Sequence, residues 1–196
     1  MVMPRVARGL GGDVELEAAL AGRDKDRVLT LLMARYGDGL YRYALAMVRD
    51  RNLAEEVRQQ VFFEAYRDLD NVAESVLLPT WLFGIARNRC LDAVNTRARW
   101  YQRYKNEPAD EPGQVDCELD HDLDRCKLAR ILTACIRKLA PAARDAVILR
   151  YQQEMSYDDA AAISGDLPGT LQRRVARALP VLRRCVEAKL QPGAST

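Results

Sequence analysis

Residues 156–183 have the sequence SYDDAAAISGDLPGTLQRRVARALPVLR, in which two helical patterns flank a short turn. Ser156 is a suitable N-cap, because its hydroxyl can accept a hydrogen bond from an amide of the first turn. Gly165 predicts a tight turn, and Pro168 is favourable at the first position of the next helix. A short helix over 157–163, a turn and a longer helix are typical of a helix-turn-helix.

The helix from Pro168 has an apolar face and a basic face. Its apolar residues fall on one stripe at helical spacing: Leu171, Val175, Ala178, Leu179, Leu182 and Val186. Arg173, Arg177 and Arg184 fall on the opposite side. Because arginine can read guanine edges in the major groove or contact phosphates, this helix is a candidate for DNA recognition. The alternative is an ordinary three-helix bundle with a basic surface, completed by a helix over 142–151.

The charges are unevenly distributed along a chain of 196 residues whose formal net charge is only +2. Segments 86–105 and 171–189 each contain six Lys or Arg and one acid, whereas 107–124 contains eight acids and no Lys or Arg. This pattern predicts two DNA-contacting helices on either side of a solvated acidic linker. Two solvated basic faces without a DNA partner are the alternative.

Apolar residues recur at helical spacing through most of the chain, and no run of alternating β-branched residues is present. We therefore expect an all-α protein with two small helical domains joined by an acidic linker. The expected boundaries are an N-terminal extension over 1–23, a first domain over 24–105, a linker over 106–124, a second domain over 125–190 and a disordered tail over 191–196.

Local signals predict the elements of the first domain. Asp24 opens a helix that the Gly37-Asp38-Gly39 sequence is expected to interrupt. Asn52 is a plausible N-cap for a helix over 53–68. The period is then lost over 69–79, which predicts a loop, and a further helix is expected from Thr80 to about Arg99.

The helix over 53–68 presents a polar face with an aromatic residue at its centre. Projection at about 100° per residue places four polar residues on one arc around Phe63: Glu56, Gln59, Gln60 and Arg67. An exposed aromatic side chain with a polar rim suggests a protein partner. Alternatively, Phe63 packs under the loop over 69–79.

A second polar stripe lies on the helix that begins at Thr80, where four residues recur at helical spacing: Asn88, Asp92, Asn95 and Arg99. These side chains suit contacts with bases or phosphates. Asn88 and Asp92 could equally form a structural pair.

The sequence offers little chemistry for catalysis, and we expect neither enzyme activity nor a cofactor. His121 is the only histidine, which excludes most acid–base and nucleophilic sites that depend on imidazole, and no Walker-type phosphate loop is present. No apolar run approaches the roughly 18 residues of a membrane span. The five cysteines, an odd number without an export signal, predict reduced thiols in a cytoplasmic protein.

Cys117, His121 and Cys126 are a weak candidate for a metal or redox-sensing site in the expected linker, with Cys135 further along. Their spacing matches no strong zinc template. Cys135 also fits a core stripe, and Cys90 and Cys185 are interpreted as buried or incidental.

Together these segments resemble an extracytoplasmic-function (ECF) sigma factor of bacterial RNA polymerase. The resemblance is carried by YRYALAMVRDRNLAEEVRQQVFFEAYRDLD (41–70), TWLFGIARNRCLDAVNTR (80–97) and LAPAARDAVILRYQQEMSYDDAAAISGDLPGTLQRRVARALPVLR (139–183). It implies a promoter-specificity subunit that binds core RNA polymerase, recognises the −35 and −10 promoter elements and initiates transcription. The alternative is a stand-alone helix-turn-helix regulator that does not engage core polymerase.

The resemblance also implies roles for individual residues. The clamp helices of the largest polymerase subunit would be contacted by Glu56, Gln59, Gln60, Phe62 and Phe63. The −10 element would be bound by Asp70, Asn71, Ser75, Arg87, Asn88, Asp92, Asn95 and Arg99. The −35 element would be read as duplex by Thr170, Gln172, Arg173, Arg174 and Arg177. An anti-sigma factor is a further partner that the resemblance implies.

The sequence departs from the family pattern at several positions. Gln60 replaces a usual acid beside the unusual Arg58, and Asp166 occupies a turn position that is normally apolar, where it could act as a cap. Pro180 lies inside the reading helix and leaves the Ala176 carbonyl without its amide partner, which predicts a kink.

Overall fold

The computed structural model describes residues 14–72, 77–104 and 123–190, which form two compact units, the first built on four helices and the second mainly on the four that follow. The first unit contains α1 (Val14–Ala21), α2 (Lys25–Val48), α3 (Arg51–Asp68), a 3-10 turn (Leu69–Asn71) and α4 (Leu78–Tyr104). The second contains α5 (Leu123–Arg137), α6 (Pro141–Val147), a π-helical turn (Ile148–Gln152), α7 (Tyr157–Ser164) and α8 (Pro168–Leu190). No strand occurs in these three ranges, which confirms the all-α expectation.

The expected extension and linker differ from the structure at their edges. Val14–Ala21 forms α1 and buries Leu16, so part of the expected extension belongs to the first unit. The linker over 106–124 lies outside the described residues except for its last two, which already belong to α5. The tail over 191–196 also lies outside them.

Helix α2 begins at the predicted cap, where the Asp24 carboxylate accepts a hydrogen bond from the Arg27 amide at 3.0 Å. The expected interruption over 37–39 is wrong, because α2 runs unbroken to Val48. Each interior glycine disfavours a helix by about 1 kcal/mol. Burial of a large apolar side chain is worth roughly 1.5–3 kcal/mol, and Leu32, Leu40 and Tyr43 are all buried around the glycines.

Helix α3 begins two residues before the predicted Leu53, so Asn52 is not its cap. The cap is Asp50, whose carboxylate accepts from the Leu53 amide at 3.0 Å and lies at the positive end of the helix dipole. Helix α4 likewise begins at Leu78, before the expected Thr80. Pro79 lies in the first turn of α4, where a missing amide proton removes no helical hydrogen bond.

The core of the first unit lies between α2, α3 and α4. Tyr43 of α2 and Phe83 of α4 pack edge to face with ring centroids 5.6 Å apart, a preferred geometry for aromatic pairs. Helix α3 contributes five buried side chains: Ala54, Val57, Val61, Phe62 and Ala65. Ion pairs at the rim join α4 to α3 and its cap, since Arg89 Nε lies 2.9 Å from Glu64 and Arg97 Nη1 lies 3.5 Å from Asp50.

In the second unit, the helix expected over 142–151 is an α-helix that ends at Val147 and continues as a π-helical turn. The Gln153 amide donates to the Ile148 carbonyl at 3.1 Å, and Ile148 and Leu149 are fully buried. Buried Arg144 donates to the Leu139 carbonyl at 3.1 Å, so it satisfies a backbone acceptor just after α5.

Helices α7 and α8 form the predicted helix-turn-helix. Ser156 Oγ accepts from the Asp159 amide at 3.0 Å, and Gly165 adopts the left-handed conformation with φ +72°. Helix α8 starts at Pro168 as predicted and continues through Pro180 to Leu190. The apolar stripe is buried at Leu171, Val175, Ala178 and Leu182. The predicted stripe is wrong at Leu179, which is 40% exposed.

The expectation that all cysteines are reduced is wrong for one pair. Cys135 of α5 and Cys185 of α8 are joined by a disulfide bond, with their Cα atoms 5.8 Å apart. Cys90 is buried in α4, as interpreted from the sequence, and forms no disulfide bond. None of the described helices combines the length and the apolarity that crossing a membrane requires.

Candidate functional sites

The outer face of α3 carries an exposed aromatic side chain. Phe63 is 69% exposed, and the four polar residues predicted around it are all exposed: Glu56, Gln59, Gln60 and Arg67. The alternative that Phe63 packs against a loop is not seen in the described residues. Phe62 is different, because it is only 6% exposed and belongs to the core. It can support the face from beneath but does not form part of it.

Hydrogen bonds along α3 fix part of this polar rim. Glu55 accepts from Arg58 Nη2 at 2.6 Å and from Gln59 Nε2 at 3.1 Å. The bond from Arg58 lowers the pKa of the Glu55 carboxyl below its ordinary value of 4.5. The Arg58 guanidinium also lies 6.0 Å from the centre of the Tyr41 ring. The unusual Arg58 is therefore engaged within the first unit.

The segment after α3 contains three of the residues predicted to bind the −10 element, and the structure describes two of them. Asp70 forms an ion pair with Lys25 of α2, whereas Asn71 is exposed. Ser75 lies outside the described residues. Beside this pair, the Tyr66 hydroxyl donates to Asp26 Oδ1 at 3.0 Å, which raises the pKa of Tyr66. Asp70 is thus held against α2.

The predicted stripe on α4 is exposed along its length at Asn88, Asp92, Asn95 and Arg99. Arg87 is half-buried at its edge. Asp92 pairs with Arg89, whose Nη1 lies 3.1 Å away, so the proposed structural partner of Asp92 is an arginine rather than Asn88. Arg99 donates to the Asn95 carbonyl at 3.3 Å.

An open groove lies between the α3 face and the α4 stripe. Its α3 side includes Glu56 and Gln60, and its α4 side includes Asp92 and Thr96. Residues predicted for polymerase binding and for DNA binding therefore border the same groove. The sequence pattern of each helix alone does not indicate this proximity.

Helix α8 presents arginines to solvent from its first three turns. Gln172, Arg173 and Arg177 are exposed, and Thr170 is half-buried. Arg173 Nη2 lies 3.3 Å from Thr170 Oγ1, a contact within the helix. Within the described ranges no acid pairs with Arg173 or Arg177, so both guanidinium groups can meet an external anion.

Arg174 is arranged differently from its neighbours. Its guanidinium donates to both carboxylate oxygens of Asp166, with Nη2 and Oδ1 3.1 Å apart, and both side chains are partly buried. The hydrogen bond to Asp166 raises the pKa of Arg174. Asp166 therefore holds Arg174 against the turn between α7 and α8, a pairing that sequence reasoning missed because it spans eight residues and a change of direction.

The weak metal candidate cannot be placed. Cys117 and His121 lie outside the described residues, as does the side chain of Cys126. In the part of the chain that the structure describes, no group of three or more His, Cys, Asp or Glu is arranged to hold a metal ion.

Comparison with known proteins supports the assignment of each unit. The Sigma-70 region 2 family model matches residues 32–100, and the Sigma-70 region 4 model matches residues 129–179. The ECF RNA polymerase sigma factor EcfG of Rhodopseudomonas palustris is 30% identical over 140 residues, which cover 69% of this chain and 72% of that protein. The chain belongs to the ECF family of RNA polymerase sigma factors.

Longer alignments agree with this membership. The RNA polymerase sigma-H factor of Pseudomonas aeruginosa is 27% identical to this sigma factor over 183 residues, 87% of this chain and 90% of that protein. A solved structure of the sigma factor RpoE in complex with the anti-sigma factor NepR from Bartonella quintana matches with a TM-score of 0.73 and 25% identity. That match covers 84% of this sigma factor and 98% of the solved chain.

The family comprises transcription-initiation subunits rather than catalytic enzymes. Both sigma-70 regions are present in order, which favours a sigma factor over a stand-alone helix-turn-helix regulator.

Proposed function

We propose that this sigma factor uses the Phe63 face of α3 to bind core polymerase, the α4 stripe to hold the melted −10 element and the start of α8 to read the −35 element. The observation that carries the proposal is the exposure of Phe63 within a rim of polar side chains. A large aromatic group exposed to water is a typical anchor of a protein interface.

The polymerase-binding assignment is tested with Phe63→Ala in the full chain. Truncation removes the aromatic anchor, and we expect affinity for core polymerase to fall at least about 30-fold, the range of an interface hot spot. The measurement is a binding titration with purified core polymerase. Met33→Ala is the matched control, because Met33 is a 49% exposed apolar residue on α2.

The control variant is expected to bind core polymerase like the unchanged chain. Equal affinities for Phe63→Ala and the unchanged chain would remove the α3 face from the polymerase interface. Melting curves of both variants exclude a folding defect, which is not expected because an exposed ring contributes little to the core.

For the −10 element, the proposal assigns strand contacts to the exposed side chains of α4. Asn88 and Asn95 provide amide donors and acceptors that can pair with base edges, and Arg99 can contact a phosphate. Asp70 and Asp92 have intramolecular cationic partners, Lys25 and Arg89. We assign both acids to shaping the site rather than to strand contacts, because a carboxylate repels the phosphates of the strand.

For the −35 element, the proposal assigns direct contact to Arg173 and Arg177, with Thr170 and Gln172 beside them. These side chains lie in the first turns of α8, the part of a recognition helix that approaches base edges in the major groove. Arg174 is a positioning residue in this proposal, because its guanidinium is already committed to Asp166.

An anti-sigma factor is the third partner that we propose. The support is the likeness to RpoE, which was solved in complex with the anti-sigma factor NepR. Exposed apolar side chains on the second unit, including Leu167 at 74% and Tyr151 at 54%, are suitable contacts for such a protein.

A further inference from the structure

The disulfide between Cys135 and Cys185 joins two helices that are distant in sequence. Cys135 lies near the end of α5 and Cys185 near the end of α8, 50 residues later. A cross-link that closes so long a loop restricts the unfolded chain strongly and therefore stabilises the folded unit. The bond is also placed where α8 has few other attachments.

The part of α8 after Pro180 is weakly held by packing. Among residues 181–190, only Leu182 is buried, with 6% exposure, and Val181 and Leu190 are more than 45% exposed. Pro180 also removes one hydrogen bond from the helix, because proline has no amide proton to donate to the Ala176 carbonyl. The covalent bond at Cys185 is thus the strongest attachment of this segment to α5.

We propose that Cys135 and Cys185 are a reversible oxidation site, whose disulfide fastens the end of α8 to α5 and whose reduction releases it. The reagents are a small-molecule or protein dithiol in one direction and its disulfide in the other. Neither sulfur is used in the proposed polymerase or DNA contacts, so the site is separate from them.

The exposures of the two sulfur-bearing residues set the direction of the exchange. Cys135 is 1% exposed, whereas Cys185 is half-buried, so an incoming thiolate reaches the Cys185 sulfur. Attack there forms a mixed disulfide, and Cys135 leaves as a thiolate that takes a proton from water. The second thiol of the dithiol then displaces Cys185. Two protein thiols and one oxidised dithiol result, a two-electron reduction of the protein.

Release of the segment has a consequence for DNA reading, and this step alone depends on the proposed function. Without the cross-link, residues 181–190 fray back toward Pro180, which follows Arg177 by one helical turn. The turns of α8 that carry Arg173 and Arg177 then lose the support of the helical turns that follow them. Promoter affinity is expected to be roughly three- to tenfold weaker in the reduced protein.

The experiment uses the full chain equilibrated with either oxidised glutathione or excess dithiothreitol. Peptide mapping after alkylation is expected to find Cys135 linked to Cys185 in the first buffer and both alkylated in the second. Amide hydrogen exchange over 181–190 is expected to be about tenfold or more faster in the reduced protein. Promoter binding is measured on the same two samples.

Two variants separate this bond from other thiol chemistry. Cys185→Ser removes the more exposed partner, and its exchange over 181–190 should be fast in both buffers. Cys117→Ser changes a cysteine outside the described residues, and its exchange over 181–190 should depend on the buffer as in the unchanged chain. Because the main comparison uses the unchanged chain in two buffers, a folding defect in Cys185→Ser would leave the test intact.

Two results would overturn the proposal: two free thiols at positions 135 and 185 in oxidised glutathione, or equal exchange over 181–190 in both buffers. A third result separates the two proposals. If exchange over 181–190 depends on the redox state but the protein binds no promoter DNA in either state, the oxidation site is supported and the proposed DNA reading is contradicted.

Discussion

Helices α4 and α8 are both long and rich in arginine, but they use this residue differently. On α4, Arg89 pairs with Glu64 and Asp92, and Arg97 pairs with Asp50. On α8, Arg173 and Arg177 have no acidic partner in the described ranges, and both are exposed. Segments 86–105 and 171–189 contain the same number of basic residues. Among the described side chains, α8 exposes Arg173 and Arg177 without an acidic partner, whereas the exposed Arg99 of α4 donates to the Asn95 carbonyl of its own helix.

The difference shows that a cluster of arginines in a sequence does not by itself define a nucleic-acid surface. Acids contributed by α3 and its cap pair with two of the α4 arginines, Arg89 and Arg97, and hold them against the first unit. The other exposed polar side chains of α4 include the amides of Asn88 and Asn95 and the hydroxyl of Thr96. We therefore expect binding by α8 to depend strongly on salt, and binding by α4 to depend more on hydrogen bonds.

The largest effect is expected for the double variant Arg173→Ala and Arg177→Ala. Each arginine contact with a base is worth about 1–3 kcal/mol, so affinity for duplex promoter DNA should fall at least about 30-fold while the melting temperature stays unchanged. Fluorescence anisotropy with a labelled duplex measures the change. Arg42→Ala, an exposed arginine of α2, is the control that should bind normally. Normal binding by the double variant would contradict the assignment of DNA contacts to the exposed arginines of α8.

On the first unit, the corresponding expectation concerns stability. Asp50→Ala removes the cap of α3 and the partner of Arg97, so the free energy of unfolding should fall by about 1 kcal/mol. Asp50→Ser retains a capping oxygen and should recover most of that loss, because the partly exposed ion pair is worth little. Chemical denaturation measures both. A larger loss in the serine variant than in the alanine variant would contradict the capping role.

Asp166→Asn tests Arg174, an α8 arginine that is paired with an acid as Arg89 and Arg97 of α4 are. The substitution removes the negative charge that holds Arg174, which should then reach the DNA. We expect a few-fold gain in affinity for duplex DNA and a salt slope that is steeper by about 0.9, the contribution of one phosphate contact. Titrations at several salt concentrations measure the slope.

Combining Asp166→Asn with Arg174→Ala should remove the gain in salt slope. An unchanged slope in Asp166→Asn alone would mean that Arg174 is a structural residue whether or not it is paired.

The smallest expected effect concerns the pair of Glu55 and Arg58 on α3. Because the bond from Arg58 lowers the folded-state pKa of Glu55 below 4.5, the pair stabilises the protein above that pH. The contribution is lost as the pH falls through the folded-state pKa. Exposed pairs of this spacing are worth about 0.3–0.5 kcal/mol, so Glu55→Gln should melt slightly lower than the unchanged chain at neutral pH.

In strongly acidic buffer the two melting curves should coincide, since Glu55 is then protonated and uncharged. A constant difference across this pH range would mean that the substitution acts through packing rather than charge.

The sequence predicted the features that depend on neighbouring residues. The cap at Ser156, the start of α8 at Pro168 and the exposure of Phe63 all follow from positions within one or two helical turns. The family resemblance was confirmed because it combines many such local patterns in order.

The features that sequence reasoning missed depend on the tertiary structure. The disulfide joins positions 50 residues apart, and the Arg174 pair spans a turn. Burial of flanking side chains keeps α2 intact through two glycines, which local propensity alone does not predict. The resemblance placed Phe62 on the polymerase-binding face beside Phe63, but the packing of α3 buries Phe62 in the core.

The π-helical turn at Ile148–Gln152 sets a limit on how the second unit can change in length. This turn ends the helix that begins at Pro141, and the Gln153 amide donates to the Ile148 carbonyl five residues earlier, so the turn contains one residue more than an α-helical turn. Deleting that residue would restore regular winding but displace the buried Leu149 and the backbone contact from Arg150 to Met155. The number of residues in this turn is therefore constrained by the core of the second unit, because Ile148 and Leu149 are buried within it.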